Sequence, residues 1–355
     1  MKRELTQKEF GHLFGGYWRY DFLDFLFLMN PFFPSERLLQ DLKNDLPVLI
    51  GSYPSDQNNL KKYLSQWNPR SSLNVDSYIL GNGSSELIRL VNRFLVKKVT
   101  VVVPTFNEYI DVESEKLNLY QLKAENNFDI HVEELVQSVK SSESNVLCLV
   151  NPNNPTGRII SIEQIKNLLV ALPNIDGMVV DESFINFSGA QQFSVESFVN
   201  EFPQLIVIRS IGKEYGVPGL RLGYAVTNNQ SFHAIAKSYL PIWNLNSLAE
   251  WFLENFPKYK NEYEASLQTL RGEQKKFFAD LQDVSFLKPL ASSANFFLCA
   301  VEGDSTKLVE QLFQKHKILI KDLKNKMGAN YIRIAVGKSE HNKFLIQALH
   351  SLSFT

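Results

Sequence analysis

The chain has 355 residues, 44% apolar and 12% aromatic, which suits one large packed domain plus a smaller one better than a single core. Lys and Arg number 37 against 38 Asp and Glu, so nothing in the charge favours nucleic acid or an anionic membrane as partner. With 17 Gly and 14 Pro, the composition also argues against disorder.

In chain order, Lys2-Arg3-Glu4 is followed by polar residues and lacks the apolar stretch of a secretory signal. The apolar segment 22–29 is interrupted by Asp24 and is too short to span a bilayer. Cys148 and Cys299 sit inside apolar runs and read as core residues rather than disulfide halves or nucleophiles. The expected setting is soluble, reducing and cytoplasmic.

Residues 36–66 and 84–98 carry apolar positions at helical spacing. From about residue 100 short apolar runs take over, at 100–103, 146–150, 177–180 and 205–208, with helical stretches between them. Continuous apolar strands alternating with helices predict an α/β fold with a mostly parallel sheet covered on both faces. Helices are expected at 248–256, 263–281 and 340–352, and strands at 294–300 and 331–335. The expected organisation is an N-terminal arm (1–45) belonging to a small domain, a large domain (46–245) and a C-terminal small domain (246–355).

Ligands of open α/β sheets bind beyond the carboxyl ends of the strands. Here unusual polar clusters follow those ends: Pro104-Thr105-Phe106, Asn151 to Gly157, Asp181-Glu182 and Ser210 to Lys213. Lys213 alone could be a solvated loop residue. Gly83-Ser84-Ser85, ahead of a helix, could be an ordinary N-cap or a set of donors for an anion. Asn151-Pro-Asn-Asn154-Pro155-Thr156-Gly157 carries more asparagine than a plain turn needs, which favours a ligand contact. Asp181 ends a buried strand, where a carboxylate costs free energy unless it meets a cation.

Taken together and in this order, these segments resemble the fold-type-I pyridoxal-phosphate (PLP) enzymes of aminotransferase class I/II, over essentially the whole chain. The resemblance implies the PLP-dependent transferase fold, with the large domain holding the cofactor, and no metal. It implies that Lys213 binds the cofactor covalently and that Asp181 faces its pyridine nitrogen. Asn154 would donate to the ring phenolic oxygen and Phe106 would stack on the ring. Gly83, Ser84, Ser85, Ser210 and Arg221 would hold the phosphate. Tyr53 matches a tyrosine that reaches the neighbouring subunit's cofactor, implying a homodimer with shared sites. Arg333 matches an arginine that holds the substrate carboxylate.

Within the family the chain is most similar to histidinol-phosphate aminotransferases and threonine-phosphate decarboxylases. Asp181-Glu-Ser-Phe-Ile-Asn-Phe187 and Pro241-Ile-Trp243-Asn-Leu-Asn246 lean towards the decarboxylases. Ile318-Leu-Ile-Lys321 carries Lys where that group has an arginine for substrate phosphate. His12 with Gly15-Gly16, and Asn30-Pro31, resemble further substrate-binding segments. One departure is Phe184, at a position where most relatives carry a tyrosine. The leading expectation is decarboxylation of an O-phospho-amino acid of the phosphoserine or phosphothreonine type. The alternative is transamination of histidinol-phosphate type with 2-oxoglutarate and glutamate. A catalytically silent binding module of the same fold is a third class, disfavoured by the presence of both Lys213 and Asp181.

Overall fold

The computed structural model describes residues 9–10, 15–67, 73–189, 194–352 and 354. In chain order its strands are β1 (Leu23–Asp24), β2 (Tyr78–Asn82), β3 (Val99–Val103), β4 (Leu117–Gln121), β5 (Val146–Val150), β6 (Gly177–Asp181), β7 (Leu205–Ser210), β8 (Leu222–Thr227), β9 (Leu287–Pro289), β10 (Phe296–Val301), β11 (Ile318–Leu319), β12 (Lys321–Asp322) and β13 (Tyr331–Ala335).

The larger sheet is ordered β2-β8-β7-β6-β5-β3-β4. Every neighbouring pair is parallel except the two made by β8, which runs against both β2 and β7. Alternation along β5 shows why its strands read as unbroken apolar runs. Leu147 and Leu149 join the core on one face, and Val146, Cys148 and Val150 join the core on the other.

The smaller sheet is antiparallel, ordered β12-β13-β10-β9. The N-terminal segment docks beside it. β1 pairs in parallel with β11, the Phe25 carbonyl accepts from Ala335 N, and the Phe25 ring is buried against Phe277. No described helix is long and apolar enough to cross a membrane.

Two expectations change. The single helix over 36–66 is two, Glu36–Ile50 and Gln57–Trp67, parted by Gly51-Ser-Tyr-Pro54. The second helix is held by β2 at its start, where the Gln57 side chain exchanges hydrogen bonds with Leu80 N (3.1 Å) and Leu80 O (2.7 Å). Residues 84–98 form an α-helix only over Ser84–Leu90, followed by a wider π turn over Val91–Leu95.

Candidate active site

The sheet gathers the polar clusters because β7, β6, β5 and β3 are parallel neighbours, so the loops after them leave from one rim. β2 ends on that rim, and the antiparallel β8 begins there. One cleft is lined by Gly83, Ser84, Ser85, Phe106, Asn154, Asp181, Ser210, Lys213 and Arg221, together with Val150, Ser183 and Phe184, around about 540 Å³ of empty space.

Lys213 lies in the short helix Ile211–Glu214, immediately after β7. No described group hydrogen-bonds its amine. Burial first, and the charge of Arg333 second, push its pKa down to about 8, against the opposing pull of Asp181. Asp181 is buried, which raises its carboxyl pKa. Ser183, Tyr109 and the charge of Lys213 act in the other direction. Ser183 N donates to Oδ1 at 2.8 Å and the Tyr109 hydroxyl donates to Oδ2 at 2.9 Å.

Of the three asparagines in the 151–157 loop, two are spent on the loop itself. Asn151 exchanges hydrogen bonds with the backbone of Ile160, and Asn153 donates to Pro104 O and Thr156 Oγ1. Asn154 is the one that lines the cleft, and its Oδ1 accepts from Arg333 Nη1 at 2.6 Å.

Arg221 adopts φ 55° and ψ 55°, a left-handed conformation that costs a non-glycine residue roughly 1–3 kcal/mol. Its Nη2 donates to Ser85 Oγ at 3.4 Å. Gly83 makes room for it, since a Cβ there would stand 2.4 Å from that same Nη2, at a φ of +76°.

Arg333 points inward from β13. It donates to Asn154 and to Leu26 O (2.8 Å), and its Nε has no partner among the described residues. Burial, partly offset by Asp24, lowers its pKa to about 10. Lys321 stands directly across the β12–β13 pair from it. Lys326 is exposed as a whole residue, and its ammonium donates to Thr105 O and Asn107 Oδ1 (2.7 Å). Burial, then Arg333 and Lys321, push the Lys326 pKa down to about 8.

Two expected residues stand elsewhere. Asn30, anticipated as a substrate contact, is sealed in at 2% exposure. Its Nδ2 donates to Glu214 O and Ser266 Oγ, its Oδ1 accepts from Phe32 N, and its own N–H bonds Lys213 O. It braces the Lys213 turn, and both of its side-chain N–H donors are already taken. Tyr53 is 80% exposed, outside the cleft lining, and stacks on Trp243 with ring centroids 4.4 Å apart. His12 lies outside the described residues. Conversely, Tyr109 and Lys326 carry no motif, and Ser183, although inside the Asp181–Phe187 motif, is not singled out within it.

Residues 50–349 match the family Aminotransferase class I and II. Over 347 residues the chain is 30% identical to the L-serine phosphate decarboxylase of Campylobacter jejuni, covering 92% of this chain and 87% of that protein. The crystal structure of histidinol-phosphate aminotransferase from Clostridium acetobutylicum superposes with a TM-score of 0.83 at 28% identity, covering 92% of this chain and 98% of the other. A decarboxylase from Sulfurospirillum multivorans gives 0.83 at 25% identity, with 93% and 87% covered. The chain spans little more than half of two further curated relatives, 56% of one and 54% of the other, each 31% identical to it.

Proposed function

We propose, from the premise that this chain belongs to the aminotransferase class I and II family, that it is a PLP enzyme acting at the Cα of a small phosphorylated amino acid. The reaction is loss of the carboxylate as carbon dioxide from an O-phospho-amino acid of the phosphoserine or phosphothreonine type, leaving the amine phosphate.

The donor set of the cleft fits the cofactor. Arg221, Ser84, Ser85 and Ser210 offer donors for a phosphate, with Gly83 leaving space for the guanidinium. Phe106 supplies an apolar face, Asp181 an acid for a ring nitrogen, and Lys213 an amine with no competing bond. Bound there, the cofactor supplies an electron sink for bond breaking at Cα. Lys213, neutral in part at physiological pH, can take or return a proton at Cα. Arg333 has a buried Nε with no partner among the described residues and suits a planar carboxylate.

The observation that carries the substrate class is the crowding of cations beside this cleft. One carboxylate calls for one arginine. Here Lys321 faces Arg333 across a strand pair, where like charges repel, and Lys326 lies close enough for both to depress its pKa. A dianionic phosphate near Lys321 and Lys326 relieves that repulsion. The relative named as a serine-phosphate decarboxylase supports the same choice. The protein is further read as a homodimer, because Val48, Ile50, Tyr53, Ile242 and Trp243 are large apolar residues left 50–80% exposed.

The test incubates the PLP-loaded protein with O-phosphoserine and O-phosphothreonine, following carbon dioxide and 2-oxoacid together. Carbon dioxide release with no 2-oxoacid requirement is expected. Turnover only in the presence of 2-oxoglutarate replaces the reading with transamination, and absence of any visible absorption from bound cofactor removes both.

A further inference from the structure

Asp181 is held by a residue that the reaction outlined above does not use. Tyr109 sits in the 3-10 turn Asn107–Ile110, three residues beyond Phe106, and is fully buried as part of the apolar core that also holds Leu87, Val103, Val150 and Val179. The turn is fixed at both ends: Tyr109 N bonds Phe106 O, and Asn92 Nδ2 donates to Glu108 O at 2.6 Å. From this buried position the ring places its hydroxyl on Asp181 Oδ2.

A phenylalanine would fill the same apolar space, so packing alone does not account for the hydroxyl. A buried carboxylate tends to take up a proton unless donors compensate for lost water. Besides Tyr109 these donors come from Ser183, whose hydroxyl also accepts from Ser210 N at 2.9 Å. Cys148 lies near Asp181 as well, but burial keeps its thiol protonated. Tyr109 has its own ionisation pushed far upward by burial and by Asp181, so it is always a donor. Ser183 thus acts on the carboxylate through both its amide and its hydroxyl, and Tyr109 donates to Oδ2.

We propose that Tyr109 is a positioning residue for the cofactor: its hydroxyl keeps Asp181 ionised and oriented, and so determines how firmly the pyridine nitrogen holds its proton. The inference rests on the reading that Asp181 meets that nitrogen. Removing the hydroxyl makes Asp181 more basic, and the proton shared between acid and ring moves towards the acid.

The test uses the full chain loaded with PLP labelled with nitrogen-15 at the ring, comparing the wild type, Tyr109→Phe and Asp181→Asn by nitrogen NMR and by cofactor titration. The wild type is expected to give a pyridinium-like signal and Asp181→Asn a pyridine-like one. Tyr109→Phe should fall between them and bind PLP roughly tenfold more weakly, as loss of a hydrogen bond to a charged group implies. If Asp181→Asn moves the signal while Tyr109→Phe matches the wild type in both measurements, the role of Tyr109 is overturned and that of Asp181 stands. If Asp181→Asn leaves the signal unmoved, the underlying reading falls and this inference with it. Should Tyr109→Phe not fold, fluorinated tyrosine at position 109, a stronger donor of nearly the same shape, must shift the signal further towards pyridinium. No shift overturns the proposal equally.

Discussion

For Lys213 to be the nucleophile proposed above it must be neutral, and to be neutral it must sit where water does not stabilise its charge. Burial and Arg333 achieve this by lowering its pKa from 10.5 to about 8. Capture of PLP by the cofactor-free protein should therefore quicken with pH and level off above about 8. Arg333→Gln removes a neighbouring cation, so the midpoint should move upward; an unchanged midpoint would assign the whole shift to burial. Stability follows the same linkage. The unfolded chain binds more protons at Lys213 between about 8 and 10.5, so the folded cofactor-free protein gains stability as pH rises through that window. In Lys213→Ala that gain should be absent in denaturant titrations across the same range. The lysine, the Asp181 strand end and the asparagine loop were legible because each sits in a compact motif. Tyr109 was not, since its bond to Asp181 spans 72 residues and is created by the packing of a turn against the sheet. Lys326 was equally silent, one of two lysines in the Lys324–Met327 turn.

At the scale of elements, the buried strands β3, β5, β6 and β7 were readable from unbroken apolar runs. β2 and β8 were not, because Gly81 and Gly223 interrupt theirs, and those glycines face each other across the sheet. The interruption has a physical purpose. A Cβ at Gly223 would lie 2.4 Å from Ser84 N, 2.8 Å from Gly83 C and 3.0 Å from Arg209 O, all backbone atoms that cannot swing aside. Gly223→Ala should therefore cost about 1–3 kcal/mol, seen as a lower urea midpoint, and should weaken PLP binding by displacing the Gly83–Ser85 turn. Asn30 works similarly from a distance. Asn30→Ala leaves the Glu214 carbonyl and the Phe32 amide without their side-chain partner, so about 1–3 kcal/mol should be lost. The cleft residues themselves would be untouched, and the defect should appear in stability and cofactor affinity before it appears in substrate selectivity. The division of 36–66 into two helices was hidden for a related reason, since Gln57 is recruited by β2, which periodicity along the chain does not reveal.

At the scale of the whole molecule, the proposed dimer makes a demand that can be tested without seeing the interface. Tyr53 is exposed and outside its own cleft, so its proposed contact must be made in the partner's site. A site would then take Lys213 from one subunit and Tyr53 from the other. Lys213→Ala homodimers should be inactive and Tyr53→Ala homodimers impaired through weak cofactor binding. In a mixed dimer both lesions fall in one site, and the other site has an intact lysine and an intact tyrosine. Equal amounts of the two variants, unfolded and refolded together, should recover roughly a quarter of the wild-type rate, because half the dimers are mixed and each has one whole site. Activity no greater than half that of the Tyr53→Ala protein alone would mean that each subunit completes its own site. Sedimentation of the same mixtures keeps the outcomes apart, since a monomer could show no recovery for the simpler reason that nothing is exchanged.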